Sequence, residues 1–194
     1  MSESAVLPRL QLRRNEDRRI RQGHHWVYSN EIDTTATPLK QFTAGEQVQL
    51  CTASGKPLGV AFVNPHSLIC ARLLDRHATE ALGDGFLRER LRTALSLRER
   101  LFSEPCYRLV YGDSDGLSGL IVDRYGEVLV VQVGTAGMER LEAELIAFCQ
   151  LHLATMKCPR SVEFDPALPR LPTGKLYKKG LRDRYWQGKE SRIV

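Results

Sequence analysis

The stretch Tyr107–Val133, YRLVYGDSDGLSGLIVDRYGEVLVVQV, decides how the chain is read. Tyr107–Tyr111, Leu120–Asp123 and Val128–Val133 are short runs rich in β-branched and aromatic residues, bounded by Gly and Asp clusters. That is the pattern of strands in a small antiparallel sheet, with Asp123–Glu127 as the turn of a hairpin. The acidic, glycine-rich segment Gly112–Gly119 has three readings: a calcium loop, a phosphate cradle or a turn. Calcium fails on spacing. With Asp113 as the first ligand of an EF-hand loop, the glycine position falls on Ser118 and the bidentate glutamate position on Arg124. A structural turn is the preferred reading.

Working outward, two motifs carry a family resemblance. Gly112–Gly126, GDSDGLSGLIVDRYG, and Gly23–Ile32, GHHWVYSNEI, occur in this order in the chain. Both resemble signatures of the SAM-dependent rRNA large subunit methyltransferase I family, cytosine-C5 methyltransferases of 23S rRNA, with His25 where a proline is usual. The resemblance runs from about Leu10 to about Gly137. It implies an RNA-binding PUA domain over about Pro8–Asp75, SAM as the cofactor of the full-length family, and rRNA as partner. None of the five cysteines lies in the motif of that family's nucleophile. The expectation is therefore an RNA-binding module without a SAM-binding catalytic domain, inactive as a methyltransferase on its own.

The residues alone support a compatible picture. A chain of 194 residues, 42% hydrophobic, holds one ordinary domain or two small ones. Its cysteines, Cys51, Cys70, Cys106, Cys149 and Cys158, are single and odd in number. They suggest neither a disulfide framework nor a zinc site, and a reducing compartment. Met1–Leu12 lacks a secretory signal pattern and no apolar run reaches membrane-spanning length, so the expected location is the cytoplasm. A net charge of +5 favours a polyanionic partner.

That charge is unevenly placed. Arg9, Arg13, Arg14, Arg18, Arg19 and Arg21 crowd the N-terminus, against only Glu16 and Asp17. Guanidinium forks suit phosphate oxygens, and the rings of His24, Trp26 and Tyr28 follow at once. Imidazole and aromatic rings beside a basic run can stack on unpaired bases. The candidate RNA-binding residues are Arg13, Arg14, Arg18, Arg19, Arg21, His24 and Tyr28; Trp26 is expected in the core, as a large ring in a small barrel usually is.

The expected fold class is α+β, in three parts. Residues 1–78 form a small β pseudobarrel, with strands at Gln47–Cys51, Leu58–Val63 and Leu68–Leu74 separated by polar turns. Residues 79–140 form a helix and hairpin region, in which Asp84–Ser103 shows helical spacing of Leu87, Leu91, Ala94, Leu95, Leu101 and Phe102. Residues 141–194 form a helix and a basic, Pro-rich tail. Gly134–Gly137 before the helix expected at Met138–Leu153 shows only G-x-x-G, and no parallel βαβ unit follows, so it reads as a strand-to-helix turn and not a cofactor loop.

The tail carries a second resemblance. Leu168–Leu176, LPRLPTGKL, and Leu181–Trp186, LRDRYW, are similar to the extreme C-terminus of AMP-forming acyl-CoA synthetases. That likeness implies a role for Lys175 at the reacting oxygens during adenylation, in partnership with another chain. Otherwise no catalytic, cofactor or metal residue is assigned. The two resemblances meet near Met138–Leu145, so the chain reads as composite: a fusion, a truncated product or an artefact.

Overall fold

The strands of the N-terminal half are short runs of three to seven residues, rich in apolar side chains and bounded by polar turns. The computed structural model describes residues 6–83, 85–126, 128–141 and Tyr177. Strands β1 (Arg9–Gln11), β2 (Trp26–Tyr28), β3 (Glu46–Cys51), β4 (Pro57–Val63) and β5 (Ile69–Asp75) make one sheet in the order β1-β3-β4-β5-β2. Only the β1–β3 pairing is parallel.

The two ends of this sheet meet beyond β1 and β2. Leu12 bridges Ile32, the Arg13 amide donates to the Glu31 carbonyl at 2.8 Å, and the Asp33 amide donates to the Gln11 carbonyl at 2.9 Å. These bonds join the chain just past β1 to the chain just past β2 and curl the sheet into a pseudobarrel. Leu10, Leu12, Val27, Ile32, Val48 and Leu50 are fully buried inside it. Helix α1 (Asp17–Arg21) links β1 to β2 and inserts Ile20 into the same core.

Closure of the barrel depends on one backbone approach. Gly59 in β4 has φ +134°, and a Cβ built there would stand 2.2 Å from the Asp75 carbonyl oxygen. Any other residue would push β5 away at the irregularity between Val60 and Ala61.

The expected antiparallel sheet is present as β6 (Cys106–Tyr111), β7 (Leu120–Tyr125) and β8 (Val128–Val133), paired in that order. Helix α2 (Gly85–Leu101) packs on β6 through Leu87, Leu91 and Ala94. The other end of its apolar spacing corrects the reading: Leu101 and Phe102 are exposed, and Phe102 instead stacks on the Tyr107 ring at 5.3 Å. Helix α3 (Ala136–Glu139) overlaps only the first two residues of the helix expected at Met138–Leu153; Arg140 and Leu141 are turn, and residues 142–153 lie outside the described residues. Lys175 and the tail motifs lie there too.

Barrel and meander share a core. Phe62 and Leu74 of the barrel pack with Leu87, Leu91, Leu109, Val110, Leu120, Val122 and Met138. The described residues, Tyr177 apart, belong to one compact unit. Among them no helix is long and apolar enough to cross a membrane.

Candidate nucleic-acid interface

The arginine-rich segment is ordered by one carboxylate. Glu31, 6% exposed, accepts from Arg19 Nη1 through Oε1 at 2.9 Å and from the Tyr28 amide through Oε2 at 2.8 Å. A buried carboxylate needs such donors to offset its lost hydration. Arg19 is thereby drawn across the Tyr28 ring, 5.1 Å from its centroid. Arg76 donates to the carbonyls of Ile20 and His24 and ties the end of α1 to β5. Periodicity carried no sign of Glu31 or Arg76; the spacing of Glu31 three residues after Tyr28 is the local signal that was available.

The seven expected contact residues fall into three groups. Arg13 spends its Nε on the Ile32 carbonyl at 3.0 Å, Arg19 is committed to Glu31, and Arg21 pairs with Asp17 at 2.6 Å. The hydrogen bond from Arg21 holds the Asp17 carboxyl below its ordinary value. Tyr28 is half-buried under Arg19. Arg14, Arg18 and His24 are exposed, and their side chains make no hydrogen bond or ion pair among the described residues. Two guanidiniums therefore carry no directed bond among the described residues, on a segment anchored to the barrel.

Trp26 is the main correction. It is 38% exposed, not core, because β2 turns Val27 inward and Trp26 and Tyr28 outward. Its indole Nε1 donates to Asp113 Oδ2 at 3.0 Å, and the guanidinium of Arg72, its register partner on β5, lies 5.2 Å from the ring centroid. Burial pushes the Arg72 guanidinium below its ordinary value, while Asp113 and Tyr28 hold it up. Arg72 Nη1 reaches Ser118 Oγ at 3.4 Å. The two sequence motifs thus meet in space, with the aromatic strand of the first lying on the acidic loop of the second.

The acidic loop itself is occupied with holding the fold. Asp115 takes both Nη1 and Nη2 of Arg98, at 2.7 and 2.8 Å, and accepts the Tyr111 amide at 2.6 Å. Asp123 pairs across the strands with Arg108 at 2.8 Å, a bond that raises the Arg108 guanidinium above its ordinary value. Arg124 donates to the Tyr107 hydroxyl at 2.8 Å. Gly116 caps the short turn Gly112–Asp115 in the left-handed region, at φ +69°. The turn reading is correct: Asp115 is paired with Arg98, and Asp113 accepts from Trp26 through Oδ2 while its buried Oδ1 has no hydrogen-bond partner among the described residues.

Gly134–Gly137 is a closely packed turn from β8 into α3. The Gly134 amide donates to the Gly119 carbonyl at 2.8 Å, and a Cβ built on Gly137 would stand 2.1 Å from the Phe62 ring.

Residues 10–76 match the family model of the PUA-like domain. The chain is 35% identical to the ribosomal RNA large subunit methyltransferase I of Erwinia tasmaniensis over 145 residues, which is 73% of this chain and 36% of that protein. For the protein of the same name from Salmonella typhi the identity is 34% over 155 residues, 77% of this chain and 38% of the relative. For that of Alteromonas mediterranea it is 33% over 138 residues, 70% and 34%. The chain therefore spans between 34% and 38% of the length of these curated relatives. Among solved structures, a protein described as a SAM-dependent methyltransferase from Streptococcus mutans superposes with a TM-score of 0.61 at 16% identity, over 75% of this chain and 38% of its own. A methyltransferase complexed with SAH gives 0.63 at 16% identity, over 75% and 37%. At that identity the likeness is one of fold.

Proposed function

We propose that this chain, whose residues 10–76 are a PUA-like domain and which resembles ribosomal RNA large subunit methyltransferase I over 73% of its length, is an RNA-binding portion of a methyltransferase of that kind. The observation that carries the reading is the pair of uncommitted guanidiniums, Arg14 and Arg18, on a segment fixed beside the outward rings of β2. Phosphate oxygens are matched by free guanidinium forks, and bases by exposed rings. Arg13, Arg19 and Arg21 add positive potential while their directed bonds serve the fold. His24, exposed at the end of α1, is placed to reach a base or ribose. The partner is rRNA and the compartment the cytoplasm. SAM and the methyl transfer belong, in this reading, to the longer protein; what these residues contribute is grip and orientation of the substrate RNA.

The test is the salt dependence of RNA affinity, since each phosphate neutralised on a single strand adds about 0.7 to the slope of log affinity against log salt. Anisotropy of a labelled single-stranded RNA, followed from about 50 to about 200 mM salt, should give a steep negative slope. Replacing Arg14 and Arg18 together by Ala should flatten it by about 1.4. An unchanged slope would move the interface off the Arg13–Arg21 segment.

A further inference from the structure

Trp26 presents a combination that packing alone does not require. Its only polar atom is already bonded, Nε1 to Asp113 Oδ2 at 3.0 Å, so the ring's orientation is fixed. Yet the side chain remains 38% exposed. A ring that is held in place and still partly exposed loses little entropy when something lies on it. Arg72 stands 5.2 Å from the ring centroid and is itself steered by Ser118. Guanidinium and indole planes both accept a stacked base.

We infer that Trp26 and Arg72 form a stacking platform for an unpaired nucleobase, at the seam between the barrel and the Gly112–Ser118 loop. This rests on the RNA-binding reading above and adds the kind of RNA: single-stranded at the contact. A base inside a duplex has both faces covered by its neighbours and offers none to the ring. The electrostatics assign a division of labour. Asp113 puts a negative charge at the platform, offset by Arg72. The seam therefore lacks the net positive charge that would draw phosphate; that attraction comes from Arg14 and Arg18. Stacking on the strand and charge on the Arg13–Arg21 segment are separate contributions, and they can be removed separately.

Trp26 and Trp186 are the chain's two tryptophans, so a Trp186→Phe background makes Trp26 the single indole reporter. Titrating this variant with a single-stranded RNA of about 12 nucleotides should quench Trp26 fluorescence in step with the anisotropy of the labelled RNA. The same sequence as a duplex should quench little. In the full chain, Trp26→Ala should weaken single-strand affinity by roughly 5- to 150-fold, the range for one lost base stack. Trp26→Phe, which keeps a ring but loses the bond to Asp113, should retain most of the affinity. If Trp26 served only to latch the barrel to the loop, the Phe variant would lose stability and neither variant would change RNA affinity. RNA binding with no quenching and no effect of Trp26→Ala would overturn the platform and leave the RNA-binding reading intact. Equal quenching by duplex would overturn the single-strand assignment, and no RNA binding at all would overturn both.

Discussion

The acidic loop Gly112–Ser118 and the arginine-rich segment Arg13–Arg21 are two charged features of opposite sign, and they have opposite fates. In the loop, Asp115 is locked by a bidentate Arg98 and Asp113 holds Trp26. In the N-terminal segment some charges are bonded and others are not: Arg19 is matched by Glu31, whereas the side chains of Arg14 and Arg18 make no hydrogen bond or ion pair among the described residues, Arg18 acting on Asp17 only through its charge. A charged cluster acquires a binding role only to the extent that the rest of the chain leaves its charges unanswered. The difference is one of supply. The loop lies under α2, which brings Arg98, while α1 lies at the barrel surface with a single buried carboxylate to share.

That contrast can be broken most severely at Asp115. With Asp115 and Arg98 only 8% and 12% exposed at their side chains, Asp115→Ala strands a cation in a largely water-excluded site. A loss of about 3–5 kcal/mol is expected in urea unfolding. A loss below about 1 kcal/mol would mean the loop is not a structural clamp. Next comes Glu31→Ala, which removes the acceptor of both Arg19 and the Tyr28 amide. It should cost about 1.5–3 kcal/mol, less than Asp115 because Arg19 is 40% exposed and regains water. It should also release Arg19, so RNA affinity should hold or rise while stability falls, a split that no purely structural segment would show.

The smallest effects are expected where the charges are free or solvated. Arg14→Ala with Arg18→Ala should leave unfolding within about 0.5 kcal/mol of the parent, even as the salt slope flattens. Asp17→Asn should change stability little at pH 7, since the Arg21 pair is solvent-screened. Its sign is fixed: a carboxyl held below its ordinary value stabilises above about pH 4, and that contribution disappears as pH falls through the folded value. The difference between Asp17→Asn and the parent should therefore close in acid.

Much of the fold was legible from local pattern. The expected strands at Gln47–Cys51, Leu58–Val63 and Leu68–Leu74 are β3, β4 and β5 within a residue or so, and the helix at Asp84–Ser103 is α2. Strands β1 and β2 and helix α1 span three, three and five residues. That is too short for a period of 2.0 or 3.6 to stand out from chance. Trp26 was misplaced for a related reason: alternation in β2 shows that Trp26 and Val27 face opposite ways, but not which way is inward. The barrel settles that by burying Val27 completely.

From the sequence alone come the β-rich first half, the amphipathic α2, the antiparallel meander, the exclusion of a calcium loop and the concentration of arginine at one end. All of these depend on residues within a few positions of one another. Which charges are spent and which are available was decided only by the tertiary structure, because the partners come from far along the chain: Arg98 for Asp115, Arg72 for Ser118, and Asp113 for Trp26 across 87 positions. Periodicity reports which face a side chain shares with its neighbours. It says nothing of the distant group that will meet it there, and it is that meeting which separates a clamp from a contact surface.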